Sequence, residues 1–497
     1  MYSVSGYLLL VSILLKAYST KMFTIDLHCH PNLKSFNSGY PEPVSNMWDS
    51  IQHKIDGKVA KNISELVTHI HMESQCNLDA MSAGNVRVFQ LSLYPTERGF
   101  LHLRNIPKIL VGKRRINIAQ EVITGYSATS IAFQKKHYDY FEDLLAEYEY
   151  VVNQQGKSPD GKSEFVLVNN YKELEQALKK ENTLIGIVTI EGAHVLGTGA
   201  PTTDQIPKDA LIQQLTDNIR TIKNWKYPPF VINLAHHFWN HLSGHATSFK
   251  RPINGLVNQN KGKNKGITEA GWHVIRELLS SNNGKRILID TKHMSVAARK
   301  EYYAFIGNHN YLNPKHKIPV ISSHACASGF KTLDSSIRQN DIMVKARKAR
   351  LYKWSINISD EEARIIHDSE GLIGLMMDKG NLGGIDLIKA ISDIKEEEKK
   401  RSEFAQLFLD NAFHLVKAVG KKSGWDMIAI GTDFDGTITH IDPYESAAKM
   451  PLLQQDLLSY LEKHQYQKEL WFGYTPVQII EKIFYKNAMD FYKKFFV

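Results

Sequence analysis

The sequence predicts an α/β protein, a (β/α)8 TIM barrel with large insertions and a metal site at the C-terminal ends of its strands. Three observations predict it. Short apolar, β-branched runs alternate with longer segments of helical periodicity, which is how parallel strands joined by crossover helices read. The runs are almost continuously hydrophobic, as strands covered on both faces are. Residue types that bind metals stand where the runs stop. Eight runs are found: Phe23 to Leu27, Val86 to Leu93, Leu184 to Ile190, Phe230 to Ala235, Arg286 to Thr291, Ile318 to Ser323, Leu372 to Met377 and Met427 to Thr432. Such a barrel takes about 250 residues. The chain has 497, so about half of it is insertion or extension.

Taken in order, residues 1–21 stand apart from the barrel. Tyr7 to Leu15 is an apolar run, shorter than the roughly 20 residues that cross a bilayer, so no membrane span is expected. It reads either as the core of a secretory signal, with Ala17-Tyr18-Ser19 as cleavage site and an exported or periplasmic product, or as an upstream extension with Met22 as the working start. No Lys or Arg precedes the run, which tilts the reading toward a cytoplasmic protein. Residues 22–497 read as one barrel domain with insertions at about 97–183, 240–266 and 332–370. The first carries a polar helical stretch, Lys136 to Asn153, then the turn-rich Gln155 to Lys162. Asn254 to Gly266 is rich in Lys, Asn and Gly and resembles a mobile lid or surface loop. Met450 to Val497 reads as two amphipathic helices closing the outside of the barrel.

Composition excludes several classes. Hydrophobic residues at 43%, charged at 23% and aromatic at 10% are ordinary globular values, unlike those of disordered or membrane-embedded chains. The net charge of +9 is scattered, with short clusters only at Lys261 to Lys265 and Lys345 to Arg350, so nucleic acid is not an expected partner. Three cysteines, Cys29, Cys76 and Cys326, make neither a disulfide framework nor a Cys-x-x-Cys zinc pattern. No P-loop, Gly-x-Ser-x-Gly or dinucleotide fingerprint appears in a supporting context.

The strand ends carry the chemistry. The first ends in Asp26-Leu27-His28-Cys29-His30, the third in Glu191, the fourth in His236-His237, the fifth in His293, the sixth in His324 and the eighth in Asp433. In barrels of this type that face holds the active site. His28 and His30, two apart on an extended strand, share a face and can grip one cation together. Glu191 follows an apolar strand, where a carboxylate is costly unless paired or metal-bound, and its two oxygens can bridge two cations. His293 and His324 close strands that are otherwise apolar or small, and read as further ligands. Asp435 reads as a turn residue, and Cys29 and Cys326 as packing.

Histidine nitrogens and carboxylate oxygens without thiolates suit zinc, with manganese, iron or cobalt as alternatives. Two divalent ions about 3.5–4 Å apart can hold a hydroxide, because metal binding lowers the pKa of water toward about 7. Asp433 would take its proton and hand it to a leaving amine, and His236 would hydrogen-bond the oxyanion on the attacked carbonyl. His237, His241 and His245 compete with His236, and read otherwise as surface or loop histidines.

These residues resemble the amidohydrolase superfamily, and within it the membrane (renal) dipeptidase family. The resemblance rests on Asp26-Leu27-His28-Cys29-His30, Ile190-Glu191-Gly192-Ala193-His194, Asn233-Leu234-Ala235-His236, Gly266-Ile267-Thr268-Glu269-Ala270-Gly271, Ile289-Asp290-Thr291-Lys292-His293-Met294-Ser295, Ser323-His324 and Gly431-Thr432-Asp433-Phe434-Asp435-Gly436. It implies a two-zinc hydrolase of dipeptides or similar small amides; apart from the resemblance, a homodimer is left open. It also implies that His28, Glu191 and Asp433 hold one zinc, that Glu191, His293 and His324 hold the other, and that His236 faces the substrate carbonyl. Two departures stand out. The family has His-x-Asp where this chain has His28-Cys29-His30, so an anionic ligand becomes neutral. The family's carboxylate-binding arginine after the sixth-strand histidine has no counterpart; Lys331 and Arg338 are the nearest cations. Two other functions stay open: a metal-dependent phosphoesterase, which the ending Asp433-Phe434-Asp435 disfavours, and a noncatalytic metal-binding barrel, which has no need of Asp433.

Overall fold

The computed structural model describes residues 22–51, 73–102, 113–249, 256–337, 343–346, 349–436 and 438–497. The expectations for residues 1–21, for Arg338 and for the first part of the Asn254 to Gly266 stretch lie outside them. Eight parallel strands close a barrel: β1 (Thr24–Cys29), β2 (Val86–Leu93), β3 (Thr183–Ile190), β4 (Val231–Asn233), β5 (Leu288–Asp290), β6 (Ile321–Ala325), β7 (Leu372–Leu375) and β8 (Ile428–Ile430). They pair in chain order around the ring, from β1 with β2 to β7 with β8. Asp26 of β1 facing Ile430 of β8 shuts the ring. The expected (β/α)8 architecture is what the chain adopts.

β5 and β6 start two and three residues later than their apolar runs, because burial extends further than pairing. Ile287 donates its N–H to Leu278 O, at the end of the preceding helix, and Ile318 and Val320 donate theirs to the side chains of Asn310 and Ser369. These residues are buried in the core without joining a ladder. Hydrophobicity reports burial, and only backbone partners define a strand.

One helix begins directly after a strand end that carries a candidate ligand, and another follows the long loop after His236 and His237. Ser295, two residues past His293, caps Val296–Leu312 by accepting the N–H of Ala298, and Thr268 caps Glu269–Leu279 by accepting that of Gly271. Such caps stabilise a helix by about 1 kcal/mol each, and Ser295 thereby fixes the short turn after His293. The insertion between β2 and β3 holds the helix Tyr140–Asn153 and a hairpin, Gly156–Lys157 with Glu164–Leu167. Glu164–Leu167 pairs parallel with Thr183 to Gly186, the half of β3 that β4 leaves open. The sequence shows this stretch only as turn-rich. At the C-terminus, Met450–His464 is followed by Pro476–Glu481, which runs through a π-helical turn at Lys482–Lys486 into Asn487–Phe495. No helix among the described residues is long and apolar enough to cross a membrane.

Candidate metal centre

Strand alternation places Asp26, His28 and His30 on one face of β1. The Asp26 carboxylate accepts hydrogen bonds from the N–H and hydroxyl of Thr432 and the N–H of His28, tying β1 to the end of β8. Asp290 does the same between β5 and β6, accepting the N–H groups of Lys292 and Ser323. Glu191 leaves β3 with its own N–H bonded to Leu93 O at 2.9 Å. Gly192 then turns at φ +93°, where a Cβ would stand 2.5 Å from His194 Nδ1, so the residue after Glu191 must be glycine. His293 and Asp433 adopt φ values of 68° and 60°. This left-handed conformation costs an ordinary side chain roughly 1–2 kcal/mol. For Asp433 the bond from its N–H to His28 O at 2.9 Å helps to hold it.

The six expected ligands converge. His28 Nε2 lies 3.2 Å from Glu191 Oε1, and His30 Nε2 lies 3.0 Å from Glu191 Oε2. Asp433 Oδ1 is 3.8 Å from both of these nitrogens. His293 Nε2 and His324 Nε2 stand 3.3 and 3.5 Å from Glu191 Oε1 and 3.0 Å from each other. His236 Nε2 is 3.4 Å from the same oxygen. One ligand atom from each of His28, Glu191, His324 and Asp433 lies within 4.8 Å of the others, and a second such group is His236, His237 and His293.

The residues fit divalent cations. His28 Nε2, His30 Nε2 and Glu191 Oε1 are buried without a hydrogen-bond partner, although such atoms are nearly always paired. Three of the four rings are held from behind, as metal-binding histidines usually are, while His293 Nδ1 is buried without a hydrogen-bond partner. His30 donates Nδ1–H to Ser92 O, His28 Nδ1 meets the hydroxyls of Ser92 and Ser323, and His324 Nδ1 meets that of Ser323. Burial holds the His293 and His324 rings below the ordinary histidine range, His293 at about 3, so both are neutral and able to ligate. Burial and the neighbouring Glu191 push the Asp433 carboxyl well above its usual range. For Glu191 burial acts upward, but His236 and His28 outweigh it and hold the carboxyl well below. Cations between these groups would lower both carboxyls, adding to the pull on Glu191 and opposing the push on Asp433.

Of the competitors to His236, His237 lines the same space, with Nδ1 2.6 Å from Ser248 Oγ. His245 is buried, its ring nitrogens bonded to Ala246 O and Lys261 O, which corrects the surface reading of it. His241 pairs with Asp204 at 3.1 Å. Asp435 is more than a turn residue. At φ +66° it accepts the N–H groups of Gln75 and Cys76 and pairs with Lys34 at 2.6 Å, pinning two loops beside the centre. Cys29 and Cys326 are buried in the core. Sequence reading missed Glu97. Its carboxylate accepts from His236 Nδ1 at 2.6 Å and from the N–H groups of His237 and Phe238. It also missed Lys292, whose buried Nζ has no hydrogen-bond partner.

Residues 238–473 match the model of the membrane dipeptidase family, peptidase family M19. No curated protein matches the chain. Among solved structures, the probable dipeptidase PvdM from Pseudomonas aeruginosa is similar at 13% identity and a TM-score of 0.50, over 97% of each chain. A metallopeptidase from Rhodobacter sphaeroides, liganded with a phosphinate mimic of the dipeptide L-Ala-D-Ala, is similar at 14% identity and a TM-score of 0.49, over 95% of this chain and 99% of that one. The likeness at a TM-score of 0.50 supports the fold.

Proposed function

We propose, from the match of residues 238–473 to the membrane dipeptidase family of metallopeptidases, that the chain hydrolyses the amide bond of dipeptides or similar small amides at a centre of two divalent ions, zinc first. The observation that carries the reading is the convergence of His28, His30, Glu191, His293, His324 and Asp433 around buried, unpartnered ligand atoms. Three of these, His28, His30 and Glu191, lie outside the matched segment, yet they meet the three inside it. In this reading His28, His30, Glu191 and Asp433 hold one ion, and Glu191, His293 and His324 hold the other. Such ions supply Lewis acidity and bring the pKa of water toward about 7.

The remaining work falls to the chain. Asp433, 5% exposed, takes a proton from the attacking water at its carboxylate and passes it to the leaving nitrogen. His236, fixed at Nδ1 by Glu97, presents Nε2 to the substrate carbonyl and stabilises the charge that develops there. The decisive variant is Asp433→Asn, assayed on a dipeptide panel after metal reconstitution. Hydrolysis is expected to fall by about 10²- to 10⁴-fold, the usual contribution of a positioned acid–base group, with metal content kept. Unchanged turnover would overturn the assignment.

A further inference from the structure

At the end of the barrel opposite the metal centre, and independently of the reading above, we propose a binding site for a phosphate-bearing anion. It is the cavity where the starts of β4 and β5 meet the end of the C-terminal helix.

The cavity measures about 510 Å³, within the usual range for small-molecule sites. Phe230, directly before β4, and Leu288, the first residue of β5, line it, whereas the candidate metal ligands stand at the C-terminal strand ends. Five cationic side chains line it as well, Lys285, Arg286, Lys315, Lys317 and Lys494, and no Asp or Glu does. They come from three separate stretches of the chain, so the sequence shows only scattered charge. The fold gathers it into one place.

Only two of these cations are neutralised nearby. Glu370 pairs with Lys317 at 3.2 Å and with Lys494. Among the described residues no carboxylate lies within ion-pairing distance of Lys285, Arg286 or Lys315. Lys285 Nζ donates to Asn169 O at 2.6 Å and Arg286 Nε to Leu279 O at 2.8 Å, which positions both side chains and leaves the terminal nitrogens of the guanidinium for a ligand. Burial lowers the pKa of Lys285 against the opposing pull of Glu173, and an anion in the cavity would offset that cost. Like charges gathered in one cleft attract a counter-ion of several charges. A phosphate monoester carries about −1.5 to −2 charge and three acceptor oxygens, which suits several cations at once, and it fits the guanidinium fork. Pro228, Pro229 and Phe230 offer apolar surface to the organic part of such a ligand.

The test titrates the full-length, metal-loaded protein with inorganic phosphate in a calorimeter. Arg286→Gln/Lys315→Gln is expected to bind phosphate about 10- to 100-fold more weakly than the wild type, the range for lost charge-assisted hydrogen bonds, with dipeptide hydrolysis unchanged. Phosphate held at the metal centre is common to both proteins and drops out of the difference. Lys395→Ala/Lys399→Ala removes the same charge at exposed positions outside the cavity and is expected to bind phosphate as the wild type does. If the cavity double variant does not fold, Lys315→Glu, at an exposed position, takes its place with the same expected loss. Cosedimentation with vesicles of phosphatidylcholine and phosphatidic acid identifies the source of the phosphate: capture that the cavity variant loses assigns a lipid headgroup, and any other result assigns a free phosphate compound. Equal phosphate affinity in the wild type and the cavity variants, an equal loss in Lys395→Ala/Lys399→Ala, or no phosphate binding by the wild type would overturn the site.

Discussion

Glu97 shows how much a single carboxylate can decide. Burial acts to raise its pKa, but His236 and the N–H groups around it hold it at about 2, so it is an anion at any working pH. Its charge holds a proton on His236 Nδ1, and Glu191 and Glu97 together outweigh burial and push His236 up to about 10, so Nε2 carries a proton as well. Glutamine at this position can accept one of those hydrogen bonds but brings an NH2 group against a second donor. Glu97→Gln is therefore expected to lower kcat by about 10- to 100-fold, the range seen for outer partners of active-site histidines, with metal content unchanged. Steady-state kinetics with a metal count checks this, and a loss of metal instead of kcat would make Glu97 a structural residue. The sequence could not reveal it: Glu97 and His236 are 139 positions apart, and Glu97 stands at the start of an insertion, past the end of β2. His28 and His30 were legible because strand alternation alone puts them on one face.

At the scale of elements, the helix Tyr140–Asn153 is fastened to the barrel mouth by Glu147. That side chain is buried and accepts hydrogen bonds from Tyr94 N–H and from the side-chain amide of Asn32. Burial pushes its carboxyl up to about 8, so the folded state keeps a proton that the unfolded chain gives up near pH 4.3. A carboxyl whose pKa rises on folding stabilises the fold at low pH, and that contribution is lost as pH climbs through the interval from about 4.3 to 8. Glu147→Gln mimics the protonated form. It is expected to match the wild type in thermal stability near pH 5 and to exceed it near pH 9, and equal midpoints at both pH values would refute the assignment. The strand-to-helix order of the barrel was readable from periodicity because each element follows a local pattern. The strand starts were not, since the apolar stretches before β5 and β6 bond to helix carbonyls and side chains. The hairpin beside β3 was missed because Gly156–Lys157 is too short to leave a pattern.

For the whole molecule, ring closure between β1 and β8 brings Asp433 beside His28, residues from opposite ends of the chain. Knowing that strand ends face one way in a (β/α)8 barrel was enough to place the ligands together. The spaces between them needed coordinates. That convergence also has a thermodynamic consequence. Without cations the fold buries the four imidazoles and two carboxylates of the ligand set, including His28 Nε2, His30 Nε2 and Glu191 Oε1 with no hydrogen-bond partner, and each such atom is a cost to stability. A cation that binds only the folded chain stabilises it by about 2.7 kcal/mol at a concentration 100-fold above its dissociation constant. Chelator-stripped protein is therefore expected to melt several degrees lower, and its Tm should climb steadily with added zinc. Calorimetry across a zinc series measures this, with Glu191→Gln as the control: loss of the shared carboxylate should flatten the climb. A stripped protein whose Tm ignores zinc would mean that the buried nitrogens are satisfied by something other than metal.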